Sequence, residues 1–252
     1  CLGLNGFIIG QALVNLLVCF LMTRLTQYDL RPLFDWKEVK RLSKVGLPIM
    51  LAGFLYDALR SLDRWVILSF LGAVQVGYYT LAILALQAIT MLPGVITAQF
   101  YPRISKCYGE THSYVALRPL LLTTLKASSA LILPFGLIVF IIIGPVTRYF
   151  MPAYANGVTA ALIVIVGATL SRPIAGTAAV FLNSIGKANK YMLVQGLMVV
   201  MQLVLTIGAA RLGRGLNGVA SGVAMTQFIN MLVLTGIVIY LMRSEKNEQV
   251  SK

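Results

Sequence analysis

The sequence predicts an all-α polytopic membrane protein, and three observations carry that prediction. Of 252 residues, 58% are apolar and only 12% are Asp, Glu, Lys or Arg. Soluble domains run near half apolar and a quarter charged, so this chain lacks the charge to coat a water-facing surface. Mean hydropathy is +0.84, and apolar runs of about 20 residues, the length that crosses a bilayer, recur between polar or Gly/Pro punctuation. The net charge of +13 is not gathered on one hydrated face, as a nucleic-acid-binding protein would require. No nucleic-acid partner is expected, and the bases are read against the bilayer.

About seven transmembrane helices follow in order. The first covers 4–22, the second 45–71, the third 76–101 and the fourth 120–143; the fifth, sixth and seventh cover 157–182, 191–209 and 217–241. No segment has the layout of a cleavable signal peptide. Lys and Arg are concentrated on the cytoplasmic side of membrane proteins. One set of alternate loops and the tail carries Arg24, Arg31, Lys37, Lys40, Arg41, Lys44, Arg103, Lys106, Arg118, Lys187, Lys190, Arg243, Lys246 and Lys252, against Arg148, Arg211 and Arg214 on the other. The C-terminus is therefore expected in the cytoplasm, and Tyr149, Phe150 and Tyr154 at the outer interface.

The connector after the first helix has two readings. Phe34, Trp36, Val39 and Leu42 suit a short helix lying in the headgroups with its bases toward anionic lipid, or the stretch is a solvated linker.

An internal repeat organises the chain. Gly3-Leu4-Asn5-Gly6 followed by Gly10 recurs as Gly215-Leu216-Asn217-Gly218 followed by Gly222, each opening a helix from the same side. The helices close alike, with Leu21-Met22 before Arg24 and Leu241-Met242 before Arg243. Residues 1–24 are then expected to be the last helix of an N-terminal lobe, 25–44 a cytoplasmic inter-lobe linker, and 45–252 a complete C-terminal six-helix lobe. Because the chain starts at Cys1, it is expected to be a fragment that lacks on the order of 170 residues of a first lobe, if the repeats are of similar length.

Charges inside the spans are the default functional candidates, since each costs at least a few kcal/mol at the bilayer centre. Asp57, Arg60 and Arg64 are spaced i, i+3 and i+7 on the second helix, on one stripe with Met50 and Gly53. Leu51, Leu55, Leu59, Leu62 and Val66 occupy the opposite face, which is expected to meet lipid while the charged face meets the bundle interior. Asp63 is within i+3 reach of Arg60 and either neutralises it or, with Asp57, serves ion coupling. Arg172 is surrounded at helical spacing by Ala168, Thr169, Ala175, Gly176 and Ala179, which either leaves room for a ligand or packs a neighbouring helix. Lys126 either joins the cationic cavity or snorkels to the interface. Pro48, Pro93, Pro134 and Pro173 are expected kinks. Gln87, Gln195, Gln202, Gln227 and Asn230 are expected interhelical contacts.

Other chemistries find little support. Cys1, Cys19 and Cys107 form no C-x-x-C pair, and the single His112 beside Glu110 builds neither a zinc site nor a His-based triad. No metal and no cofactor is expected. The acids outside the second helix, Asp29, Asp35, Glu38, Glu110, Glu245 and Glu248, are scattered, which argues against an acid/base enzyme. Surplus arginine in a cleft instead wants a dense anion, because guanidinium pairs with phosphate through two parallel hydrogen bonds.

Gly46-Leu47-Pro48, Asp63-Arg64, Phe70-Leu71-Gly72, Val76-Gly77-Tyr78-Tyr79, Leu182-Asn183 with Gly186-Lys187, and Gly215 with Gly218 resemble the second half of a Wzx-type O-antigen and exopolysaccharide flippase of the multidrug/oligosaccharidyl-lipid/polysaccharide exporter superfamily. The resemblance implies two six-helix lobes in the bacterial inner membrane. It implies transfer of undecaprenyl-diphosphate-linked oligosaccharide to the periplasmic leaflet, coupled to an ion gradient, as in lipopolysaccharide O-antigen synthesis. By helix position, the family's cationic cavity carries over onto Arg60, Arg64 and Arg172. The partners it implies are lipid-linked oligosaccharide, membrane lipid, the missing N-terminal lobe and the polysaccharide polymerase machinery. The alternative is a multidrug/cation antiporter of the same fold, for which more unpaired intramembrane acid is expected than the sequence holds.

Overall fold

The computed structural model describes residues 3–25 and 35–250, and all of the regular structure among them is helical. The helices are α1 (Gly3–Leu25), α2 (Trp36–Leu59), α3 (Leu62–Leu71), α4 (Ala73–Thr111), α5 (Arg118–Phe150), α6 (Val158–Ser184), α7 (Ala188–Arg211) and α8 (Gly215–Val250), with a 3-10 turn at Pro152–Gly157 before α6. The chain divides into two units, Cys1–Ser43 and Lys44–Lys252.

The first unit contains α1, whose described side chains are mostly exposed, as a lipid-facing helix requires. Arg24 stacks on Phe20 one turn earlier, 5.4 Å from guanidinium carbon to ring centroid. The connector residues Arg31, Pro32 and Phe34 lie outside the described residues. From Trp36 onward the chain is helical, with Arg41 and Glu38 paired at 2.8 Å on an exposed face.

Among the described residues five helices are long and apolar enough to cross a membrane, and the helical stretches Trp36–Lys44 and Gly46–Leu71 make a sixth if they count together as one span. Seven were expected. In α1 the described apolar stretch is the shorter Ile9–Met22, within a helix of 23 residues. Several helices also outrun their apolar runs: α4 continues to Thr111 and α8 to Val250, because polar helix formers such as Glu, Lys and Gln extend a helix beyond the hydrocarbon layer at little cost. The close of the last helix after Leu241 is corrected accordingly.

The largest correction concerns the second expected helix, which is two. It stops at Leu59 and restarts at Leu62. Ser61 N–H donates to the Ala58 carbonyl at 2.9 Å, a tight turn that ends α2. Ser61 occupies the N-cap position of α3, and Asp63 stands in its first turn, where negative charge complements the positive end of the helix dipole. Asp57 and Arg64 are thus on different helices, and the i, i+3, i+7 stripe does not persist. No proline or glycine marks this break. Pro134, Pro145 and Pro173 lie inside continuous helices, whereas Pro48 stands within one turn of the break between Trp36–Lys44 and Gly46–Leu71; Pro93 falls within α4 but its side chain is outside the described set.

The second unit is held by two apolar clusters. One groups Ile67, Tyr79, Ala82, Ile89, Ala160, Val164, Val219 and Ala220, where α3, α4, α6 and α8 begin or end. The other groups Leu59, Ile104, Leu117, Phe181, Leu182, Tyr191, Met198 and Leu241 toward the opposite ends of these helices. Glycines permit close approach at Gly157, where a Cβ would stand 2.2 Å from the Tyr78 carbonyl oxygen. At Gly167 a Cβ would stand 2.8 Å from that of Ala224. The two repeat motifs both lie in first turns, α1 from Gly3 and α8 from Gly215; Gly222 packs against the Leu205 backbone, whereas Gly10 has open space beside it.

The facing of α2 and α3 departs from the expectation in part: of the expected lipid face Leu51 is exposed, Leu55 and Leu62 are half-buried, and Leu59 and Val66 are buried, while Arg60 is half-buried. Ala52, Leu59 and Val66 are buried in the unit's own core, while Met50, Gly53 and Asp57 are exposed. The physical reason is that a lobe must bury an apolar face to be stable, so Leu59 and Val66 turn inward and Asp57 is left exposed.

Candidate functional site

The structure brings two of the expected cations together around a residue the sequence argument passed over. Tyr56 lies one turn before Arg60 on α2. Its hydroxyl accepts a hydrogen bond from Arg172 Nη1, and the Arg172 guanidinium carbon lies 5.3 Å from its ring centroid. The Arg60 guanidinium carbon lies 6.0 Å from the same ring. Ring contacts of this kind contribute roughly 0.5–2 kcal/mol and a hydrogen bond to a charged group about 1.5–3 kcal/mol. Together they offset much of the roughly 2.5–3.5 kcal/mol that an arginine costs at mid-membrane. Tyr56 is thus the partner of Arg172 where that residue sits half-buried in the lobe.

Tyr56 and Arg172 line a cavity of about 120 Å³ with Thr90, Gly94, Thr97, Ser128, Pro173 and Gly176. Its lining residues come from α2, α4, α5 and α6. No carboxylate is among them. Arg172 Nε and Ser128 Oγ are buried without a hydrogen-bond partner, two donors left unsatisfied at the wall of one cavity. Thr90 Oγ1 donates to the Leu86 carbonyl at 2.8 Å, so its donor is taken and its lone pairs remain. Both readings of the small residues around Arg172 hold, at different positions. Ala168 and Thr169 are packed and buried, while Gly176 faces the cavity, with Thr97 the nearest atom to its missing Cβ at 3.9 Å.

Arg64 does not join this group. It is exposed and lines a separate cavity with Ser61, Trp65, Leu68 and Val76. Lys126 is exposed on α5 and lines neither cavity. Asp57 is exposed. Asp63 is buried and does not pair with Arg60; it accepts the Tyr79 hydroxyl and the Arg64 backbone N–H, each at 2.8 Å. Among the described residues neither Asp57 nor Asp63 forms an ion pair.

The expected polar contacts are partly present. Gln202 Nε2 donates to the Leu59 carbonyl at 2.7 Å, and Gln195 Nε2 lies 3.4 Å from Asn230 Oδ1. Gln227 Oε1 is buried without a partner. Gln87 is exposed on α4 and makes no interhelical bond. Cys19 and Cys107 are free thiols, and Cys1 lies outside the described residues. His112 is exposed, as a loop histidine should be, and caps α4 in the left-handed region with φ +49°.

At the far end of the lobe, Tyr114 stacks on Tyr108 with centroids 5.7 Å apart and meets Phe181 edge-on at 6.1 Å. Lys187 Nζ lies 4.9 Å over its ring. Glu245 Oε2 accepts the backbone N–H groups of Tyr114 at 2.5 Å and Val115 at 3.1 Å. No sequence signal marks this cluster, because Glu245 lies 131 residues from Tyr114 and 130 from Val115 along the chain.

Neither a curated protein nor a solved structure matches the chain significantly. A family model described as polysaccharide biosynthesis protein matches residues 1–154, which include Tyr56, Arg60, Asp63, Tyr79 and Ser128. With more than half its length so matched, this helical membrane chain belongs to the polysaccharide biosynthesis protein family, the flippase-type family its motifs resemble.

Proposed function

We propose that the chain forms one lobe of a flippase that carries undecaprenyl-diphosphate-linked oligosaccharide across the bacterial inner membrane by alternating access, with its C-terminus in the cytoplasm. The observation that carries this reading is the Arg172–Tyr56–Arg60 group, two cations sharing one ring beside a cavity with no acid in its wall. A diphosphate is a dense anion that guanidinium groups grip through paired hydrogen bonds. The unsatisfied Arg172 Nε and Ser128 Oγ are donors such an anion would engage. In this reading the sugar head passes along the charged open side of α2 while the lipid tail stays in hydrocarbon. Transport rather than catalysis fits a site that has cations and hydroxyls but no positioned acid/base pair. The two six-helix lobes, with 45–252 as the second, belong to the same proposal and rest on the Gly-Leu-Asn-Gly repeat.

The test is made in cells that depend on the intact protein. Its gene is deleted, and the leaflet holding the lipid-linked oligosaccharide is read with an impermeant label. Cytoplasmic accumulation that wild type reverses and Arg172→Ala does not is the expected result. An unchanged lipid distribution with altered drug resistance would overturn the reading in favour of an antiporter.

A further inference from the structure

A second site is built from α5, α6 and α8, on α6 reaching from Phe181 back to Ile174 and Thr177, next to the Pro173 and Gly176 that line the Arg172 cavity. An apolar groove of about 190 Å³ runs between α5, α6 and α8, lined by residues such as Leu125, Phe181 and Met242 and closed at one end by Arg118. Beside it a second cavity of about 310 Å³ is lined by the same Arg118 and Met242 together with Val115, Ile239 and Arg243. The two cavities therefore share one mouth, with two arginines at it and hydrocarbon below. Both arginines are exposed, and neither pairs with a carboxylate among the described residues.

The mouth is held in shape by the acid that might have neutralised it. Glu245 follows Arg243 by two residues and spends Oε2 on the Tyr114 and Val115 backbone N–H groups. That ties the turn leading into α5, three residues before Arg118, to α8 two residues after Arg243, and both arginines line the one cavity. The stacked Tyr108 and Tyr114, with Lys187 over the latter, brace the same turn.

We propose that this mouth and groove bind an anionic phospholipid of the bilayer, with its phosphodiester between Arg118 and Arg243 and part of one acyl chain in the groove. The charge argument selects the class of lipid: two unpaired guanidinium groups at the headgroup layer attract anionic lipid and are indifferent to a zwitterion, and paired guanidinium groups suit a phosphate oxygen pair. The groove selects a lipid over a soluble phosphate, because beyond Arg118 its wall is Leu, Ile, Val, Ala, Phe and Met with only Thr177 and Thr235 polar; Thr177 Oγ1 already donates to the Pro173 carbonyl at 2.8 Å, and Thr235 Oγ1 is buried without a partner. The site is independent of the cargo in the proposed function.

Native mass spectrometry of the full chain, released from detergent with phosphatidylglycerol or phosphatidylcholine added in equal amounts, tests this. The expected result is retention of phosphatidylglycerol at least tenfold over phosphatidylcholine, falling to parity in an Arg118→Ala/Arg243→Ala double variant. Both side chains are exposed, and the thermal midpoint of the lipid-free double variant should match wild type, which separates lost binding from lost folding. Equal retention of the two lipids, or unchanged selectivity in the double variant, would overturn the site. So would displacement of phosphatidylglycerol by inorganic phosphate at equal concentration, which would mean a headgroup pocket alone. Preference for polyprenyl phosphate over phosphatidylglycerol would reassign the groove to the tail of the cargo and overturn the proposal as stated.

Discussion

The carboxamide of Gln202 on α7 donates a 2.7 Å hydrogen bond to the carbonyl oxygen of Leu59, the residue at which α2 stops. A helix that ends inside a membrane leaves carbonyl groups with no water to satisfy them, and Gln202 is fully buried in the place where one such group points. Gln202→Ala leaves that carbonyl unsatisfied at a cost of about 1–3 kcal/mol. Thermal unfolding of the detergent-solubilised protein should show a lower midpoint than wild type. An unchanged midpoint would mean that the break at residues 60–61 does not depend on α7.

On the other side of the break, Asp63 is held by the Tyr79 hydroxyl and by the N–H of Arg64. Tyr79→Phe takes away one of two hydrogen bonds to a buried acid, with an expected destabilisation of about 1.5–3 kcal/mol. Asp63→Asn should cost less on a Tyr79→Phe background than on wild type, since the two substitutions act on one contact. A double-mutant cycle on unfolding free energies gives the coupling, and strict additivity would show that the pair contributes nothing together.

The difference between what was legible in the sequence and what was not follows from the range of the forces involved. Apolar runs specify spanning helices through local composition, and α4, α5, α6, α7 and α8 all fall where those runs predict. The break after Leu59 was not legible, because it is made by partners distant in sequence: Gln202 lies 143 residues from Leu59 and Tyr79 lies 16 from Asp63. A weak local sign exists in Ser61 and Asp63, a cap residue and a first-turn acid, set between the apolar runs 45–56 and 65–71. Arg172 and Arg60 were legible as buried charge. Tyr56 was not, although its place one turn before Arg60 puts an aromatic ring on the same helical face as a cation.

Gly157 separates backbone constraint from side-chain constraint. Its missing Cβ would stand 2.2 Å from the carbonyl oxygen of Tyr78, a main-chain atom of α4 that cannot rotate away. Gly94, on the wall of the Arg172 cavity, has no atom within 4 Å of the corresponding position. Gly157→Ala should therefore lower folded yield and thermal midpoint, with a loss of about 1–3 kcal/mol from overpacking, while Gly94→Ala leaves both near wild type. Equal tolerance of the two would contradict the close packing of the turn before α6 onto α4.

The Arg172 cavity makes a prediction about chemistry rather than charge alone. Arg172→Lys keeps a positive charge at that position but replaces a planar fork by a compact ammonium, which neither stacks on Tyr56 as well nor grips phosphate through two parallel bonds. Tyr56→Phe keeps the ring and removes only the acceptor of Arg172. In the leaflet assay, Arg172→Lys should lose at least tenfold in transport of lipid-linked oligosaccharide, Tyr56→Phe severalfold, and Tyr56→Ala as much as Arg172→Ala. Arg64→Ala and Lys126→Ala, whose side chains line other surfaces of the lobe, should transport within about twofold of wild type, since an exposed charge removed away from a site changes little. Full activity in Arg172→Lys would reduce the role of this residue to net charge. Loss in Arg64→Ala equal to that in Arg172→Ala would extend the path to the first turn of α3.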